Sequence, residues 1–424
     1  MSLSATRGLR VESVPLTVSP ELLTLLSVDS PLLWWRRGDG MVGIGTVETL
    51  SFSGKTRIKD AGAAWREVAS AATVTDDVNV AGSGLVAFGT FAFRSTSEVP
   101  SVLIIPELVV GQRAGVTWLT RIGFADDAVE PLTSNTAETL LAEHLSASAQ
   151  LGAAPVVHLS PASLSEEGFT SAVNKAIERI DAGEVEKVVL ARELEGTLAG
   201  SQDLRVAISR LAESYPDCWT FSVDGLFGSS PETLITVHGR KVTARVLAGT
   251  ARRGSDSATD LAKAAELASS HKDLDEHGFA TRSVVNALTP YAEQLTVSDA
   301  PFTLKLPNLW HLATDIAGTL ASGSNSLDLV FALHPTAAVA GTPTVAAVEV
   351  IDDLEPFDRG RYAGPVGWIG ADGDGEWAIA LRCAQLSGST VTAYAGCGIV
   401  SDSVPSKELV ETEMKFRPIV DALS

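Results

Sequence analysis

Two glutamates three residues apart, Glu408 and Glu411, with Lys415 four residues further on, follow the glycine-hinged segment Gly396-Cys397-Gly398. On a helix these offsets set the three side chains on one face. Two carboxylates on one stripe repel unless a cation lies between them, and an all-oxygen site suits a hard ion such as Mg²⁺. The lysine beside them is placed to hold a substrate anion. A second stripe has the same form. Lys272-Asp273-Leu274-Asp275-Glu276-His277 falls in a helical stretch, so Asp273 and Glu276 share a face. Two such stripes would suit one ion, whereas either alone reads equally well as a solvated acidic face.

Lys187 opens the run Lys187-Val188-Val189-Leu190-Ala191-Arg192, which has the pattern of a strand. A lysine partly withdrawn from water has its pKa lowered and can act as a base near neutral pH, although most strand-end lysines only snorkel. Gly228-Ser229-Ser230-Pro231-Glu232 reads as a turn that delivers one carboxylate. Kept neutral by an apolar setting, Glu232 would donate a proton to a leaving group. Leu247-Ala248-Gly249-Thr250 lets backbone approach a ligand at Gly249, without the spacing or lysine of a phosphate loop. Arg382 stands in an apolar stretch from Trp377 to Cys383, where a buried guanidinium needs an anion such as a carboxylate. His311 and His334, taken singly, read as structural, and no histidine pair has zinc-protease spacing.

The elements that must position these groups follow from periodicity and punctuation. Short strands and turns run from Leu22 to Val110, interrupted by a helix over Ala61 to Ala72, and a second helix covers Ala137 to Gln150. Trp34, Trp35, Arg36 and Arg37 read as packing at a strand. The small-residue stretch from Gly152 to Ser165 is the candidate linker. Helices follow over Glu166 to Ala182 and Leu204 to Ser214, with strands over Val185 to Glu195, Cys218 to Val223, Thr233 to His238 and Lys241 to Val246. Ala258 to Leu288 is helical and Pro301 to Gly318 extended. Strands over Val366 to Ile369, Glu376 to Gln385 and Thr390 to Ala395 lead to a terminal helix. Strands in series with helices between them, rather than strict alternation, predict an α+β fold with antiparallel sheets.

Composition narrows the function. The chain has 424 residues, 45% hydrophobic, with 52 acidic against 32 basic residues and a formal charge of -20. Such a surface disfavours nucleic acid and anionic membranes, so an anionic substrate must meet a local basic site. Cys218, Cys383 and Cys397 are odd in number and widely spaced, which fits a reducing cytosol. With no signal-like or membrane-length apolar run, the expectation is a soluble cytoplasmic protein.

These strings stand in the order found in a known family. From about Glu184 to Leu423 the chain resembles the catalytic half of the chorismate-utilising enzymes, and within them the isochorismate synthase branch. Besides the strings above, the resemblance rests on His334-Pro335-Thr336, Gly341-Thr342-Pro343, the run Arg361-Tyr362-Ala363-Gly364-Pro365-Val366-Gly367-Trp368, and Ala380-Leu381-Arg382-Cys383-Ala384. It implies Mg²⁺-dependent conversion of chorismate to isochorismate, a product that feeds menaquinone or siderophore synthesis. Lys187 would activate water for attack at C2 and Glu232 would protonate the departing C4 hydroxyl. Mg²⁺ would sit on Glu276 and Glu411, with Glu408 and Asp273 assisting. Gly249, Thr250, His311, Ala338, Tyr362, Arg382, Gly396, Gly398 and Lys415 would line or hold the substrate.

The resemblance further implies a single domain over 1–424, with a divergent half at 1–160 and a catalytic half at 161–424. Its fold would be two large antiparallel β-sheets packed together, with helices outside. It implies neither a glutaminase subunit nor more than a monomer or weak homodimer. The aminating relatives resemble one another in lacking the water-activating lysine, so Lys187 argues against them. Ala338 stands where salicylate- and anthranilate-forming relatives usually carry threonine, which favours stopping at isochorismate. Salicylate formation, and a silent chorismate-binding scaffold, are the alternatives. One departure is local: Ser403-Val404-Pro405 lacks the acidic residue that commonly precedes proline at the start of the terminal helix.

Overall fold

The structure, a computed structural model, describes residues 8–127, 130–147, 151–200, 202–254, 256–305 and 309–424. The chain forms two compact units. The first runs to Glu232 and resumes over 334–371 and 378–424, and the second comprises Thr233–Leu333 with Asp372–Trp377. The division therefore falls at Glu232 and His334, not at the small-residue stretch near residue 160.

In the first unit thirteen of the described strands join in one sheet. Its order is Ser160–Pro161, Lys187–Thr197, Thr390–Ile399, Cys383–Ser387, Leu226–Ser230, Trp219–Val223, Leu32–Arg36, Asp39–Ile44, Leu108–Arg113, Val116–Phe124, Leu9–Pro15 and Thr73–Asp76, with Gly341–Thr342 also paired to the Lys187 strand. Pairing is antiparallel except between Leu9–Pro15 and Thr73–Asp76. A second group pairs Pro365–Gly370 with Val86–Thr90, then Ser101–Ile105 and Glu48–Phe52. The second unit has its own antiparallel core, in which Lys241–Arg252 lies between Thr233–His238 and Leu309–Leu320. Helices Ser257–Ser269 and His271–Leu288 accompany it. This is the α+β class expected.

The helix Glu166–Asp181 forms as its pattern dictates: Ser165 caps it by accepting from the Gly168 N–H, and Phe169, Ala172, Val173 and Ala176 make the buried face. The stretch from Ala258 to Leu288 is not one helix, because Ser270 is extended and its hydroxyl caps a second helix by accepting from the Asp273 N–H. Three expectations about glycine and arginine need correction. Gly228–Ser230 lies inside a strand, leaving only Pro231 and Glu232 in the connection, and Gly396–Gly398 likewise continues the strand Thr390–Ile399. Both segments are ladder-bonded on neighbouring strands, and that pairing outweighs the poor strand propensity of glycine. Arg382 is not in a strand. It has φ +50° between Gly375–Ile379 and Cys383–Ser387, so it breaks the run that its apolar neighbours suggested. Lys241–Arg252 runs beyond Val246, with an irregularity between Ala248 and Thr250. The helix expected to reach Gln150 is described as Ser134–Ala147, and Gln150 itself lies outside the described residues.

Trp34 stacks on Trp219 at 4.7 Å with the Arg36 guanidinium 4.8 Å from the same ring, which is packing, as expected. The candidate linker is tied down: Gly152 N–H donates to Asp203, Val157 N–H donates to the Leu423 carbonyl, and Ser160–Pro161 joins the sheet. Asp203 is 5% exposed, caps the helix Leu204–Ser214 and pairs with the buried Arg205 at 2.6 Å. Burial alone would raise its carboxyl pKa, but the bonds from Arg205 and Gly152 outweigh it and hold the pKa below the ordinary value. A depressed carboxyl contributes stability above its unfolded pKa and loses it as pH falls through the lower folded value. Asp203→Ala leaves Arg205 buried without its partner, and its urea midpoint at pH 7 should report a loss of about 3–5 kcal/mol. That deficit should shrink as the titration is repeated below about pH 4.

Candidate active site

Lys187 begins the strand Lys187–Thr197, which pairs with Thr390–Ile399. Val189 is opposite Gly398 and Ala191 opposite Gly396. Both glycines are there for space. A Cβ added to Gly398 would meet Lys187 Cε at 2.7 Å, and one added to Gly396 would meet the Tyr362 hydroxyl at 3.0 Å. The Lys187 stem thus lies against Gly398 and the Tyr362 tip against Gly396. Tyr362 is 4% exposed and stacks on Tyr394 at 5.3 Å, and burial pushes its phenol well above the usual range. It is a neutral hydrogen-bonding group at working pH.

The helix Pro405–Ala422 presents Glu408, Glu411 and Lys415, the first two one turn apart. Lys415 Nζ donates to the Gly396 carbonyl at 2.7 Å and pairs with Glu411 at 2.7 Å. Val404 occupies the cap of this helix without a side-chain hydrogen bond, so the departure noted in the sequence removes a cap and keeps the register. Behind it, the 2%-exposed Arg192 donates to Thr412 Oγ1 at 2.9 Å and lies 5.3 Å from the Phe416 ring, joining the helix to the Lys187 strand.

Glu232 follows the strand Leu226–Ser230, and its N–H donates to Ser230 Oγ while its carbonyl accepts from Ile379 N–H. Its carboxyl pKa is raised. Burial is the cause, opposed first by the charge of Lys187 and then by that of Lys415. Glu232, Lys187 and Lys415 therefore act on one another, and desolvation outweighs the attraction of the two lysines. Arg382 is partly buried, and burial lowers its pKa against the opposing influence of Tyr362. Ala338 is exposed in the turn between His334 and Ala340. His334 is structural there: Nε2 donates to the Phe93 carbonyl at 3.0 Å, and burial lowers its pKa to about 3.

The second unit holds the other expected residues. Gly249 sits at the strand irregularity and abuts Asp273, with 3.3 Å between an added Cβ and that of Asp273. His277 is 2% exposed and fixes the helix His271–Leu288. Its Nδ1 donates to the Ala248 carbonyl at 3.0 Å, which leaves Nε2 to accept from Thr314 at 2.6 Å. His311 is partly buried, opposite Thr250 in the ladder. The side chains of Thr250 and Glu276 lie outside the described residues, where only their backbone positions are given. Among the described residues no three acidic, histidine or cysteine side chains gather into a metal-sized group. Among the described side chains Asp273, Glu408 and Glu411 offer only carboxylate oxygens, the donor type a hard cation takes, and Glu411 pairs with Lys415 at 2.7 Å. Sequence reasoning passed over Glu355 and Arg359, whose only local signal is an oppositely charged pair four residues apart beside Arg361-Tyr362.

This frame is that of a chorismate-utilising enzyme. A family model described as chorismate binding enzyme matches residues 24–424, and the chain belongs to that family. Isochorismate synthase DhbC of Bacillus subtilis (strain 168) is 38% identical over 278 residues, covering 63% of this chain and 70% of that one. The structure is also similar to MenF, the menaquinone-specific isochorismate synthase from Escherichia coli, with a TM-score of 0.76 at 25% identity over 99% of this chain and 95% of that one. Anthranilate synthase component I from Streptococcus pneumoniae shares the fold, with a TM-score of 0.70 at 21% identity over 95% of this chain and 94% of that one.

The raised Glu232 carboxyl has a consequence for stability. A folded pKa above the unfolded one means that ionisation is penalised in the native state, so stability is greatest below the unfolded pKa and declines as pH rises through the folded value. Glu232→Gln removes the ionisation. Its melting temperature should exceed the parent's at pH 8, and the difference should vanish near pH 4; an equal difference at both pH values would show that Glu232 is not penalised.

Proposed function

We propose that this protein is an isochorismate synthase. In this reading water adds at C2 of chorismate as the C4 hydroxyl departs and the ring double bonds shift between them. The observation that carries it is Glu232, its carboxyl pKa raised by burial against the nearby charge of Lys187, whose stem is packed on Gly398. Similarity to two isochorismate synthases supports the product. The fold alone does not select it, because an anthranilate synthase component shares it. Lys187 favours it, because the resemblance implies that the aminating relatives lack that lysine.

Lys187 takes a proton from the attacking water, and Glu232 gives its proton to the C4 oxygen as the C–O bond breaks. Reversal returns each proton along the same route, so the reaction runs both ways. Arg382, Tyr362, Lys415 and the amides about Gly396 and Gly398 orient the substrate carboxylates. Mg²⁺, when bound, offsets the negative charge of the dianionic substrate. Its ligands would be Glu276 and Glu411, with Glu408 and Asp273 assisting. Ala338, small and exposed, leaves the reaction at isochorismate. The activity needs no glutaminase, and we place it in the cytoplasm, where Cys218, Cys383 and Cys397 remain free thiols as they are here. No helix among the described residues is long and apolar enough to cross a membrane.

Incubation with chorismate and Mg²⁺, without glutamine or ammonia, should give isochorismate by chromatography, and isochorismate should return chorismate. Salicylate as the main product, or anthranilate when an ammonium salt is added, would overturn the assignment. Lys187→Ala should lose at least about 10²-fold in turnover while keeping its fold, and Lys187→Arg should be nearly as slow because a guanidinium does not surrender its proton near neutral pH. Retained turnover in Lys187→Arg would mean that charge, not proton transfer, is what matters.

The metal assignment is tested separately. Glu276→Gln and Glu411→Gln should each raise the Mg²⁺ concentration needed for half-maximal activity by about tenfold or more, because a hard-oxygen site loses a formal charge. Unchanged Mg²⁺ dependence in both variants would place the ion elsewhere.

A further inference from the structure

One edge of the Lys187 strand is covered by two short strands and an ion pair. Gly341–Thr342 pairs at Lys187 and Val188, and Ser160–Pro161 pairs at Leu194 and Glu195. Between them Val189 N–H reaches the Ala340 carbonyl, and then side chains take over. Arg359 Nη2 donates to the Val189 carbonyl at 2.7 Å, and Glu355 Oε1 accepts from Ala191 N–H at 2.8 Å. The two side chains are themselves joined, with Arg359 Nε 2.8 Å from Glu355 Oε2, and Arg359 Nη1 donates to the Val339 carbonyl at 2.9 Å. Arg359 is 0% exposed and Glu355 5%. The guanidinium also lies over the rings of Phe93, at 4.6 Å, and Tyr362, at 5.9 Å.

A buried ion pair is a weak source of stability, since well-packed apolar side chains often do as well or better. Here an apolar pair would leave Val189 O, Ala191 N–H and Val339 O without partners. A regular strand could serve the first two, but not the third at the same time. Only a planar fork with donors in fixed directions reaches the strand, the turn and the carboxylate together. The three segments so joined carry Lys187, Ala338 and Tyr362.

We infer that the Arg359–Glu355 pair positions the reaction: it holds the Lys187 strand in fixed register with the turn bearing Ala338 and with Tyr362. Neither residue touches substrate, and both act through Lys187. The inference rests on Lys187 as the base. The test is a double-mutant cycle on turnover of chorismate, using Arg359→Lys and Glu355→Asp, which keep both charges but shorten or blunt the fork, each alone and combined with Lys187→Ala. Alone, each should lower kcat about tenfold or more with KM changed by less than about threefold, as misplacement of a catalytic group does. In the Lys187→Ala background neither should lower the residual rate further. The same fold-loss in both backgrounds, or unchanged kcat in folded single variants, overturns the inference, as does failure of both conservative variants to fold, because the pair would then serve stability alone. Lys187→Ala by itself reports on the base, so an error in that assignment is read separately.

Discussion

The pairing of Lys187–Thr197 with Thr390–Ile399 is the constraint on which the rest of the first unit's chemistry depends. Its register puts glycine where each of two functional side chains crosses the neighbouring strand, so the Lys187 stem passes Gly398 and the Tyr362 hydroxyl passes Gly396. A shift of one residue would bring side chains to both crossings and turn the lysine to the other face of the sheet. Lys415 adds a bond to the carbonyl of the same Gly396, which ties the terminal helix to that register. Burial raises Glu232, and the nearby lysines moderate the rise without cancelling it.

The Lys187 strand was legible because a charged residue followed by a β-branched run has few other readings, and the helices Glu166–Asp181 and Leu204–Ser214 because caps and apolar period agree. Glycine was the main source of error. In Gly228–Ser230 and Gly396–Gly398 local chemistry favours a turn, and only a partner strand distant in sequence makes each a strand. Arg382 failed in the opposite sense, since apolar neighbours suggested a continuous strand where the backbone takes a positive φ. The chemistry of the site was readable as residue types in order, and the family match bears out the resemblance they carried. What no local pattern could announce is the pair Arg359–Glu355, whose purpose lies in three carbonyl and amide groups from segments far away in the chain.

The edge of the Lys187 strand also shows how backbone groups are satisfied when a sheet must end near a site. Two short strands and a buried fork, rather than one full neighbouring strand, complete the bonding along this edge.

The order in which the chain is made gives the strand register another meaning. Leu190 pairs with Cys397, and Arg192 finds Thr412 220 residues later. On a ribosome the lysine-bearing segment therefore emerges long before the strand that gives it a register, and its apolar run, Val188 to Ala191, waits with neither edge paired. Contacts of such separation are slow to form and expose strand edges meanwhile. Lys187 gains its register only after residues 390–399 have followed it, so a chain ended before them holds the lysine without that register.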